Sequence, residues 1–233
     1  MIIGLSYNGE NEIIGSVCVS LIACEDDERF REIVITSGII STELMPFSQI
    51  KQLTEEMHKK GLHYMVEYIK PHQLKYEDNK LQIIQAMINL LNTIPKFWEH
   101  KIHIQNPCFN RNEFEVEFLK LLPKNLPDLD RKILSWEIDT EGDKYVEPCM
   151  AASIIAKYFS EKERVENELI YGVAKTDKDY IYTQKYLLDN LAKPTPCMRI
   201  HHPYLEILKT KKEQDAVNLR LKNAFKENKY APR

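Results

Sequence analysis

The chain has 233 residues, 43% of them hydrophobic, which supplies a core for one large domain. Lys and Arg number 32 against 35 Asp and Glu, a net charge of −3, so a chain-wide basic surface of the kind that grips nucleic acid is excluded. Five cysteines without CxxC spacing exclude a zinc knuckle and a paired disulfide framework, and fit a reducing cytoplasm.

The first residues, MIIGLSYNGE, carry neither a basic leader nor a long apolar run, and no window of eighteen apolar residues occurs anywhere; no membrane span is expected. Apolar runs at 1–5 and 13–23 flank NGENE, whose Asn8-Gly9 pair suits a tight hairpin turn. REIVITSGII, residues 31–40, is rich in β-branched side chains and predicts a third strand. A helix is expected from Ser48, with Ile50, Leu53 and Met57 on one face and Gly61 as its stop, and HYMVEYIKP then predicts a fourth strand.

Helical spacing follows over 79–92, a short strand in KIHIQNP at 101–107, a helix over 112–122 and a strand in KILSWEID at 132–139. Pro148 suits the first turn of a helix, because its missing N–H would be unpaired there anyway. Ala151, Ala152, Ser153 and Ala156 keep one side of that helix thin enough to lie close on a sheet. From Lys157 to Glu168 the same helix is charged, and Lys157 and Glu161 stand at i, i+4.

Two more helices are expected, near 181–192 and over 206–228. The last has an apolar stripe of Leu205, Leu208, Val217, Leu221 and Phe225 and sits in the most basic part of the chain. Strands first and helices later predict an α/β domain with a mixed sheet over 1–205. The remaining 206–233 are expected to pack on that domain or on a protein partner.

GDKYVEPCMAASIIAK, residues 142–157, resembles the GDxxxxxxxAASIxAK segment of the ribonuclease HII family. IGLSYNGENEIIGSV is similar to that family's first hairpin, with Gly4, Gly9 and Gly15 in register, and QAMINLL resembles its LQAT helix. PTPCMR resembles PTPxHR with Met198 in place of the histidine, and Tyr180 stands near the family's GYGT tyrosine.

The resemblance implies a ribonuclease H-like mixed sheet flanked by helices. It also implies cleavage of RNA–DNA hybrids, or beside single ribonucleotides in duplex DNA, by four carboxylates holding two Mg²⁺ or Mn²⁺ ions about 4 Å apart. The adjacent Asp-Glu pair of that site falls on Ser6 and Tyr7, the third carboxylate on Gln105 or Asn106, and only the fourth position keeps a charge, as Glu161. The family's Gly-Arg-Gly becomes Gly9, Glu10, Asn11, and its Asp-Ser-Lys-Lys is at best Thr36, Ser37, Gly38, Ile39. A single carboxylate does not offset two dications.

The expected reading is therefore a catalytically inactive protein that binds nucleic acid or serves as a scaffold, with no cofactor. Gly9, Lys157, Tyr180 and Arg199 are its candidate substrate contacts, the two basic residues toward phosphate. The alternative is an active Mg²⁺- or Mn²⁺-dependent endonuclease with an acidic site rebuilt from Glu10, Glu12, Asp139, Asp143 and Glu161.

Plainer accounts stand beside these. Glu161 suits a surface pair with Lys157, Asp143 a turn cap, Tyr180 and Tyr182 ordinary packing, and the adjacent His201 and His202 a solvated surface, because neighbouring residues seldom ligate one ion.

Overall fold

The computed structural model describes residues 1–25, 27–36, 45–75, 79–107, 110–122, 135–142, 146–173 and 181–228. Five strands form one sheet: β1 (Ile2–Asn8), β2 (Val17–Cys24), β3 (His63–Ile69), β4 (Lys101–Gln105) and β5 (Ser135–Asp139), in the order β3-β2-β1-β4-β5. β2 runs antiparallel to both β1 and β3, while β1, β4 and β5 are parallel, so the sheet is mixed. The helices are α1 (Asp27–Thr36), α2 (Phe47–Lys59), α3 (Asn79–Leu91), α4 (Arg111–Leu121), α5 (Glu147–Tyr171), α6 (Ile181–Asn190) and α7 (Pro203–Asn228).

Alternation along the strands sorts side chains to the two faces. Ile3, Leu5, Val17, Val19, Leu21, Ile102 and Ile104 point to one face and join the core made with α3 and α4, where Phe114 and Phe118 stack 5.4 Å apart. The other face is covered by α1, α2 and α5, with Ile22, Phe30, Val34, Ile50, Met57 and Ala151 in one cluster. A third cluster joins Ile13 and Ile14 to Leu187, Met198, Leu205 and Leu208 and anchors the C-terminal helices.

The thin side of α5 seats it directly on β1 and β2. Residues 148–156 are all buried. A Cβ on Gly4 would lie 2.1 Å from the Pro148 carbonyl oxygen, so no larger residue fits at that crossing. Ser20 completes the contact by donating from Oγ to the Ala152 carbonyl at 2.6 Å.

Two expectations need correction. The predicted strand at 31–40 is helical as far as Thr36, and 37–40 lie outside the described residues. Phe30 and Val34, four apart, are both buried against the sheet, so helical period and burial override β-branched propensity. The tight Asn8-Gly9 hairpin is instead an eight-residue connection, 9–16. Gly9 begins it at φ 89°, and β2 starts only at Val17. Ile13 and Ile14 leave the sheet there to enter the C-terminal core, and Ile14 bridges Met198.

Candidate functional site

Ser6 and Gln105 close the carboxyl ends of the neighbouring parallel strands β1 and β4, one step beyond the paired Leu5 and Ile104. Both point to the α5 face, where Ser6 is fully buried and donates its Oγ–H to the Gln105 side-chain oxygen. Tyr7, next along β1, points to the opposite face and packs with the α3/α4 core. The Asn106 N–H donates to the Asp139 carbonyl at 2.7 Å, and the Asp139 carboxylate accepts the Glu141 N–H at 2.8 Å as a turn cap. The centre of this sheet edge is thus a closed pair of neutral polar groups.

The charged half of α5 leaves the sheet beside this edge. Glu161 accepts from Arg164 Nε at 2.7 Å, at i, i+3, and Arg164 also reaches Glu168 at 3.4 Å. Lys157 is half-buried on the preceding turn. Glu163, which the sequence did not single out, accepts the Ser16 N–H at 2.9 Å and the Ser16 Oγ–H at 2.6 Å. Lys70 Nζ lies 3.6 Å from the same carboxylate and over the Tyr68 ring at 4.6 Å. Burial and the Glu163 charge push the neighbouring Cys18 thiol well above its usual range.

Arg199, expected as a phosphate contact, sits behind the connection between β1 and β2. It is 2% exposed, and its guanidinium donates to the carbonyls of Gly15 (2.7 Å), Gly9 (2.6 Å), Ser16 (3.1 Å) and Glu10 (3.2 Å). A fixed fork of five donors suits this enclosure of a loop by carbonyl oxygens. Burial lowers its pKa to about 10, opposed by Glu12, Glu10 and Glu163, and the group stays cationic at neutral pH. Gly9 belongs to the same enclosed loop.

Tyr180 and Asp143 lie outside the described residues, as does the side chain of Tyr182. His201 is exposed, and His202 Nδ1 accepts the Tyr204 N–H at 3.2 Å at the start of α7. Glu12, Glu161 and Glu163 line one niche beside Asn8, Ser160 and Asn167. Among the described residues no three His, Cys, Asp or Glu side chains stand together as a metal-binding group. Mg²⁺ and Mn²⁺ require several anionic or carbonyl oxygens, and the Ser6–Gln105 pair offers a hydroxyl and an amide already bonded to each other. These residues do not fit two divalent ions.

Of the stripe expected on the last helix, Leu205 and Leu208 are buried, Val217 is exposed, and the side chains of Leu221 and Phe225 lie outside the described residues. No helix among the described residues is long and apolar enough to cross a membrane.

No family model matches the chain, and no curated protein matches it. Solved structures do. Ribonuclease HII from Archaeoglobus fulgidus, in a complex with PCNA, superposes with a TM-score of 0.71 at 18% identity, covering 89% of this chain and 96% of that one. Ribonuclease H2 from Pyrococcus horikoshii OT3 gives 0.72 at 18% identity over 90% and 97%. Bst-RNase HIII in complex with Mn²⁺ gives 0.68 at 14% identity over 91% and 70%. The mixed sheet, its flanking helices and these superpositions together give the chain the fold of the ribonuclease HII and HIII structures.

Proposed function

We propose that this chain is a divergent ribonuclease HII-fold protein that does not cleave by a two-metal route and serves as a binding or scaffolding component, its ligands being a hybrid or duplex nucleic acid or a protein partner. The observation that carries this reading is the buried Ser6–Gln105 hydrogen bond at the ends of β1 and β4. Two dications about 4 Å apart repel by on the order of 15 kcal/mol at an effective dielectric of about 20. A serine and a glutamine offset none of it. Glu161 carries charge but spends it on Arg164. The half-buried Lys157 and the tyrosine at 180 remain the proposed nucleic-acid contacts, while Gly9 and Arg199 hold the loop between β1 and β2 in shape. The distal part of α7, exposed over 211–219, is the proposed docking segment for a protein partner.

The test is cleavage of an end-labelled duplex containing one ribonucleotide, with Mg²⁺ or Mn²⁺, comparing the parent with Glu161→Gln. No cutting by either is expected at high protein concentration. Cutting by the parent and not by Glu161→Gln overturns the proposal and establishes a rebuilt acidic site.

A further inference from the structure

The connection from β1 to β2 is held from one side by Arg199 and from the other by Glu163. Arg199 Nε grips the Gly15 carbonyl at 2.7 Å, and the N–H of the same peptide unit, on Ser16, donates to Glu163 at 2.9 Å. In a trans peptide the C=O and N–H point in opposite directions, so fixing the carbonyl inward on a cation aims the N–H outward. The Ser16 Oγ–H points to the same place, 2.6 Å from the other Glu163 oxygen. Lys70 adds a positive charge 3.6 Å away.

A second donor in the niche is unused. Asn167, 8% exposed, has its Nδ2 buried without a hydrogen-bond partner. A Cβ on Gly15, φ 90°, would stand 3.7 Å from the Glu163 Oε2 and 3.8 Å from the Asn167 Nδ2, so both groups face the same bare stretch of backbone. The niche they line measures about 30 Å³, room for a water molecule or two while the carboxylate stays in place. A backbone N–H and a hydroxyl bonded to one carboxylate, an ammonium beside it and an unused amide N–H₂ facing the same backbone make a set of donors suited to oxyanions.

We infer that the Ser16 corner is an oxyanion-binding site occupied by the chain's own Glu163, and that a phosphoryl group is the external ligand that takes the carboxylate's place. Glu12 and Glu161 line the same niche, and their like charge opposes an entering anion, so the gain on removing Glu163 has to come from the freed donors. The inference does not depend on whether the chain cleaves nucleic acid.

Titration of the full chain with inorganic phosphate, read by calorimetry, tests it. Glu163→Ala is expected to bind phosphate at least tenfold more tightly than the parent, and adding Asn167→Leu to return the affinity to the parent's. Glu163→Gln keeps the side-chain length and one acceptor without the charge, and an intermediate tightening is expected; it serves as the readout if the alanine variant does not fold. A duplex titrated in parallel identifies the source: tighter binding of the duplex alone assigns the site to a backbone phosphate, of phosphate alone to the free ion, and of both to either. If neither ligand binds a folded Glu163 variant more tightly than the parent, or if Asn167→Leu leaves the gain intact, the site is a structural staple and the inference falls.

Discussion

Ser6 and Gln105 show how two short polar residues decide the character of a strand edge. Their hydrogen bond is buried, and replacing both with Asp sets two carboxylates in its place with nothing cationic between them. Ser6→Asp with Gln105→Asp is expected to lower stability in chelator by about 3 kcal/mol or more. Mn²⁺ is expected to raise that variant's melting temperature and leave the parent's unchanged, a comparison thermal unfolding makes directly. Arg199 answers to a different constraint: Arg199→Lys keeps the charge but replaces a planar fork by a single ammonium. Four carbonyls then share one donor group, and a loss of about 2–3 kcal/mol is expected in denaturant unfolding.

The element that matters most is α5, whose two halves do different things. Its first turns touch β1 and β2 so closely that Gly4 has no room for a methyl group. Ala152→Leu is expected to cost about 1–3 kcal/mol through overpacking. The measurement is a lower urea midpoint at unchanged slope, which marks lost stability rather than an altered denatured state. At the far end Leu169 and Ile170 are 81% and 69% exposed, so Leu169→Ser is expected to stay within about 0.5 kcal/mol of the parent. The contrast between two apolar-to-other changes on one helix checks that burial, not composition, sets the energetics.

On the scale of the whole molecule, one sheet separates two cores and a third core ties the C-terminal helices to the connection between β1 and β2. Among the described side chains of α7, those of its opening turns enter that third core, with Leu205 and Leu208 buried and 211–219 exposed. Ending the chain after residue 213 is therefore expected to leave the melting temperature nearly unchanged. Leu208→Ala is expected to lower stability by about 2–5 kcal/mol, because it leaves a cavity where helix, connection and PTPCMR segment meet.

Features with short-range causes are legible in the amino-acid order alone. The stop at Gly61, the proline-led start of α5 with its small residues, the runs of β3 and β4, and the likeness of AASIIAK to one family all rest on neighbours a few positions apart. That likeness pointed to a fold the superpositions bear out. Tertiary structure decided the rest. Residues 31–36 have strand propensity and became helix because Phe30 and Val34 gain burial on one helical face. Ser6 meets Gln105 across 99 residues, Ser16 meets Glu163 across 147, and Arg199 reaches Gly15 across 184. No local pattern in the sequence distinguishes Glu163 from the other acids of its helix. Only the fold, by bringing the Gly15–Ser16 peptide between a buried cation and a helix face, gives that one carboxylate two donors to satisfy.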